Sequence, residues 1–161
     1  MHETNLLNKF YQHLSVNIAS FTHQFVLSQD SDIIPKGWSR YEKGQWRLGT
    51  SELPVLDIEN TAGKDIGWCI GYPVHHKDPC TNKIVIDCQE SEFIEMNGVE
   101  KFYLDNVGRY ILVLLTLKED KVFLDPIGSL AVVFSTSEPI VASTPTLLGV
   151  KYNWDEELIL S

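Results

Sequence analysis

The sequence predicts an α+β domain built of layered antiparallel sheets with flanking helices. Three observations carry this. Apolar residues near the N-terminus recur at helical spacing, and the pattern then changes to strands. The strands of the second half are joined by connections of about four residues, which only antiparallel neighbours allow. Those strands do not alternate: the stretch from Arg109 to Leu117 reads Arg-Tyr-Ile-Leu-Val-Leu-Leu-Thr-Leu. An antiparallel strand with one wet face alternates, so strands that do not must be covered on both faces. Two antiparallel sheets facing each other, with helices outside at least one of them, satisfy both demands.

The elements follow in order. Leu6, Leu7, Phe10, Tyr11, Leu14 and Ile18 form one apolar stripe, predicting a helix over 5–19 capped by Thr4 or Asn5. Residues 21–27 alternate as a strand, with Phe21, His23, Phe25 and Leu27 on one face. Gln29-Asp30-Ser31-Asp32 is a turn cluster. Residues 38–41 and 45–48 flank Glu42-Lys43-Gly44 as a hairpin. Strands are expected over 55–58, 66–74 and 84–86, with loops over 60–65 and 75–82. A helix is expected over 90–101, weakened at its end by Gly98. Strands over 109–117 and 122–124 flank a charged turn at 118–121, and Asp125 to Ser129 turns again toward strands over 130–134 and 140–142. Ser143 or Thr144 then caps a last helix, with Pro145 at its first position. No repeat or linker interrupts this series. The expectation is a single domain over 1–161: an N-terminal helix over 1–20, a sheet-rich core over 21–148 and a tail over 149–161.

Composition narrows the function. A chain of 161 residues buries roughly 70% of its extended surface and needs no staples. A net charge of −9, with 13 scattered basic residues, argues against nucleic acid or an anionic membrane as partner. No run approaches the roughly 20 apolar residues of a membrane span. The N-terminus, Met1-His2-Glu3-Thr4-Asn5, lacks the basic and apolar regions of a secretory signal. Cys69, Cys80 and Cys88 are an odd set, read as reduced thiols in a cytoplasmic protein.

His75, His76, Cys80 and Cys88 lie close in sequence but lack paired spacing, and adjacent histidines are expected to point apart, so neither metal nor cofactor is expected. No Gly-x-Ser-x-Gly elbow occurs. Cys69 sits in the apolar run Ile66-Gly67-Trp68-Cys69-Ile70, which favours core packing over a nucleophile paired with His75. Glu90, Glu92 and Glu95, and the run Asp155-Glu156-Glu157, read as solvated surface. Trp38, Tyr41 and Trp46 are candidates for stacking on a ligand if exposed and ordinary core if buried, and burial is favoured.

One further pattern spans about half the chain. The stretches Ile70-Gly71-Tyr72-Pro73-Val74, Val107-Gly108-Arg109-Tyr110-Ile111, Leu124-Asp125-Pro126-Ile127-Gly128-Ser129 and Val141-Ala142-Ser143-Thr144-Pro145 follow one another in fixed order. In order and spacing they resemble motifs of the class II glutamine amidotransferase domain found at the N-terminus of asparagine synthetases. There the counterparts are an Asn-Gly-Glu-Ile-Tyr-Asn strand end, a Gly-(Met/Arg)-Phe-Ala strand, an Arg-Asp-Pro-Leu-Gly turn and an Ala-Ser-Glu helix opening. The resemblance implies the Ntn-hydrolase fold, with two antiparallel sheets between helical layers (αββα). It also implies a pocket around Arg47, Gly71, Arg109, Asp125 and Gly128.

The chain departs from that family where chemistry is concerned. The family's nucleophile is an N-terminal cysteine; here position 2 is His2, and the corresponding strand, 21–27, opens with none. The arginine that holds a glutamine carboxylate, in a Ser-His-Arg-Gly-like motif, is missing, and Arg47 is its positional candidate. The Asn-Gly oxyanion pair is reduced to Ile70-Gly71. The expectation is a non-catalytic domain, a pseudoenzyme that scaffolds or docks a synthetase-like partner. Two alternatives stand beside it: a hydrolase using Cys69 as an internal nucleophile, and a carbohydrate- or peptide-binding domain using Trp38, Tyr41 and Trp46.

Overall fold

The computed structural model describes residues 21–78, 83–87 and 96–148. The helix expected over 5–19, the residues Cys80 and Cys88, both acidic groups and the tail from 149 lie outside them. The described chain is mixed α+β, mostly strands in two five-stranded sheets with few helices. It forms two compact units. One is residues 53–130; the other takes its described residues from 21–52 and 131–148.

In the second of these, β1 (Gln24–Ser28) lies between β3 (Trp46–Ser51) and β10 (Ile140–Ala142). β2 (Ser39–Lys43) and β9 (Val133–Phe134) form the two edges, and every pairing is antiparallel. The expected hairpin is present, with Lys43 opposite Trp46 and Gly44 in the left-handed region at φ +56, where a glycine meets no Cβ penalty. The alternation read over 21–27 is not: Phe25, Val26, Leu27 and Ser28 are all buried. A central strand is covered on both faces, so its sequence carries no two-residue period. His23, at φ +55, turns the chain just before this strand. Val26, Ile33, Ile34, Trp38, Ile140, Ala142 and Leu147 form the core of this unit. The turn cluster after β1 closes as a single 3-10 turn, Ser31–Ile33, capped by the Asp30 carboxylate on the Asp32 N–H at 2.9 Å.

In residues 53–130 the sheet runs β6–β4–β5–β7–β8, from β4 (Val55–Asn60), β5 (Asp65–His75), β6 (Ile84–Ile86), β7 (Asn106–Leu115) and β8 (Asp120–Leu124). β5 and β7 pair over nine positions, from Gly67 opposite Leu114 to His75 opposite Asn106. The expectation of purely antiparallel sheets fails at one edge, where β6 runs parallel to β4. The chain from 61 to 83 that joins β4 to β6, β5 included, is long enough for the crossover a parallel neighbour needs. Helix α1 (Met96–Asp105) buries Val99 and Phe102 against Ile58, Cys69, Ile86, Tyr110, Leu112 and Leu114. Each such side chain contributes about 1.5–3 kcal/mol by leaving water. Phe102 meets Tyr110 edge to face, 5.4 Å between ring centroids. Gly98 does not weaken the end of this helix; it sits in the first turn, where a Cβ would fall 2.2 Å from the Asp87 carbonyl oxygen, closer than atoms pack. Ile111 and Val113, which alternate with the residues facing α1, are buried as well, so the apolar run over 110–114 is covered on both faces.

The Asp125 turn joins two strands but not as a hairpin. β8 pairs with β7, whereas β9 pairs with β10 in the other sheet. The turn therefore carries the chain from one sheet to the other. The strand expected over 130–134 is shortened to Val133–Phe134. The last helix is α2, Pro145–Leu148. Ser143 does not cap it, because its hydroxyl donates to Gln24 Oε1 at 2.6 Å and accepts the Phe25 N–H at 3.0 Å, tying β10 to β1.

Candidate functional site

The residues singled out by sequence separate into three groups. Arg109, Asp125 and Gly128 come together after β8. The Asp125 carboxylate accepts from the Ile127 N–H at 3.1 Å, the Ser129 N–H at 3.0 Å and the Ser129 hydroxyl at 2.6 Å. Its own N–H donates to the Tyr110 carbonyl at 3.1 Å, and its carbonyl accepts from the Gly128 N–H at 2.9 Å. This is the self-bonded turn that an Asp side chain favours. Burial pushes the Asp125 carboxyl up, but the Ser129 hydroxyl and the backbone donors of Ser129, Ile127 and Tyr110 outweigh it and hold it below its ordinary value. Arg109 reaches the Ser129 carbonyl at 3.5 Å, the outer limit of a hydrogen bond. Sequence pattern missed Ser129, although Asp followed four residues later by Ser was there to see.

Beside this turn lies a buried phenol. Tyr110 is fully buried, and its hydroxyl has no hydrogen-bond partner among the described residues. Burial, with the neighbouring Tyr103, Cys69 and Asp125, pushes its ionisation far above the ordinary range. Tyr103 instead donates to the Leu124 carbonyl at 2.7 Å.

The second group is Gly71, Arg47 and Cys69, and each is tied into the fold. Gly71 lies in the β5–β7 ladder opposite Tyr110, at φ +111, with room for no Cβ: one would stand 2.4 Å from the Arg109 carbonyl oxygen. Its N–H donates to the Pro54 carbonyl at 2.9 Å. Ile70, before it, is fully buried. Arg47 belongs to the other unit, on β3. Its guanidinium donates to the carbonyls of Gly44 at 2.9 Å and Trp46 at 3.1 Å and pairs with Glu42 at 3.1 Å. Cys69 is fully buried, and burial pushes its thiol far above the range in which thiolate forms. The thiol stands in the core, the reading its apolar run favoured over an internal nucleophile.

The aromatic trio is divided. Trp38 packs in the core and is not available to stack on a ligand, a correction to its place in the candidate surface. Burial of its large apolar ring outweighs an indole N–H with no partner among the described residues. Tyr41 and Trp46 are half-buried on the β2–β3 hairpin.

The third group lies at one end of the β5–β7 ribbon. His75 closes β5, and α1 ends at Asp105 beside it. The two histidines do not point apart as expected; their rings stack, 5.1 Å between centroids and 10° between planes. The backbone N–H of His76 donates to the Asp105 carbonyl at 3.0 Å, and His76 Nδ1 meets the same oxygen at 2.9 Å. Donor atoms of His75, His76 and Asp105 all lie within 4.8 Å of one another, the one such group among the described residues. No sequence signal links Asp105 to a histidine 29 residues earlier; register alone joins them.

Among the described residues no helix is long and apolar enough to cross a membrane. Comparison with family models, with curated proteins and with solved structures found no match to this chain.

Proposed function

We propose that the chain is a non-catalytic domain of the class II glutamine amidotransferase type, serving as a scaffold or docking module for an asparagine-synthetase-like or other biosynthetic partner. The reading includes the αββα layering of the Ntn hydrolases. It is supported by two five-stranded sheets with interior strands buried on both faces, at 25–28 and 110–114. It is also supported by the Asp125 turn joining one sheet to the other.

One observation carries the absence of catalysis. On this reading Ile70 and Gly71 stand for the family's Asn-Gly oxyanion pair; Ile70 has no side-chain donor, and the Gly71 N–H already serves the Pro54 carbonyl. An oxyanion hole needs donors free to meet developing charge, and losing one donor costs about 100- to 1,000-fold in rate. At the start of β1 the chain reads Phe21-Thr22-His23-Gln24 and continues upstream. A nucleophile that uses its own α-amine as base has no place in an uninterrupted peptide.

The deciding experiment is a glutaminase assay on the purified protein. No ammonia is expected from glutamine above a buffer control; sustained release above that control overturns the proposal. Iodoacetamide sharpens it. Cys69 should label slowly in the folded protein and readily on unfolding, and fast selective labelling at Cys69 would instead support an internal nucleophile.

A further inference from the structure

We infer that the end of the β5–β7 ribbon binds a divalent transition-metal ion of the zinc or nickel class through His75, His76 and Asp105. The inference stands apart from the proposed function. Imidazole nitrogen and carboxylate oxygen are the donors that such ions take, and three of them are gathered here within 4.8 Å. With metal–ligand distances of about 2.0–2.2 Å, tetrahedral donors sit about 3.4 Å apart. Closing that gap takes rotation of the two stacked rings toward one another, which half-buried and exposed side chains allow, on a backbone held by the ladder pair His75–Asn106.

His76 is already set for coordination. Its Nδ1–H donates to the Asp105 carbonyl, which fixes the tautomer and leaves the Nε2 lone pair free. Metal-binding histidines are oriented by a hydrogen bond of this kind from their other nitrogen. His75 is not yet set. Its Nδ1 accepts from the N–H groups of Lys77 and Asp78, each at 3.1 Å, so its proton rests on Nε2. Coordination through Nε2 moves that proton to Nδ1, and the two amides must then turn away. Metal binding therefore reorders residues 77 and 78. Water completes the coordination sphere.

The test is calorimetric titration of the full chain with zinc chloride, repeated with nickel chloride. One ion per chain is expected. H76A and D105N should each weaken binding at least about tenfold. Amide resonances of Lys77 and Asp78 should shift on binding. Cobalt(II) spectra distinguish this site from one built on thiols: nitrogen and oxygen ligation shows no thiolate charge-transfer band. Absence of binding, binding untouched by both substitutions, or a thiolate band overturns the inference. Unchanged thermal unfolding of H76A and D105N in the absence of metal establishes that lost binding is not lost folding.

Discussion

The Asp125 turn and the His75–His76 pair are both polar clusters that depend on β7, one near Tyr110 and the other beside Asn106. They are opposite in kind. Asp125 is buried, and its carboxylate is met by three donors from its own turn. The histidines are half-buried and exposed, and His76 keeps a nitrogen lone pair directed away from its backbone partner. A buried charge persists only when it is satisfied, and a satisfied group has little left to offer a ligand. An exposed donor costs little to leave open. The comparison teaches that the turn with the family-like motif holds the structure, whereas the cluster without a motif is the one free to bind.

Substitutions that separate the two roles should test this contrast. D125A should cost the most, about 2–4 kcal/mol in urea unfolding, because it removes a buried carboxylate that accepts three part-buried hydrogen bonds from Ile127 and Ser129. If D125A is neutral, the turn is not a structural device. The stabilisation is also pH-dependent, with a definite sign. The carboxyl is held below its ordinary value in the folded state, so its contribution is fully present above the unfolded value near 4 and is lost as pH falls through the lower, folded one. The stability gap between the wild type and D125N should therefore be flat at neutral pH and shrink in acid; a gap that grows in acid would contradict the hydrogen-bond account.

Y110F is expected to leave stability unchanged or raise it by up to about 1–2 kcal/mol, since it removes a buried hydroxyl with no partner among the described residues. A clear loss of stability would reveal a partner for that hydroxyl. H75A should cost about 0.5–1 kcal/mol through the Lys77 and Asp78 amides, and H76A less than about 0.5 kcal/mol. A large loss in H76A would make that side structural too and erase the contrast.

Much of the strand inventory was legible. The strands at 84–86 and 140–142, the β2–β3 hairpin and the double-sided burial of 110–114 follow from local apolar pattern and turn residues, which act over a few positions. The misreadings share a cause. The alternation over 21–27 gave way because β1 is central in its sheet. The Asp125 turn looked like a hairpin because a tight turn constrains its own backbone but not the partner of the strand that follows. Gly98 looked like a weak helix end because its contact, the Asp87 carbonyl, lies outside the helix. Of the candidate site, Asp125 and Gly71 were visible as motif positions. That their donors and acceptors are already engaged was not, since Pro54 carries no side-chain signal.

The sequence by itself determined which segments become strands, that Cys69 belongs to the core, and that no cysteine, serine or threonine opens β1. These are properties of local composition and of residue chemistry. Tertiary structure alone decided that β6 runs parallel, that the Asp125 turn changes sheets, and that Asp105 meets two stacked histidines. Each depends on which strand lies beside which, and in what register. Pairing energy comes from backbone groups that every residue carries, so side-chain pattern leaves the choice of neighbour open.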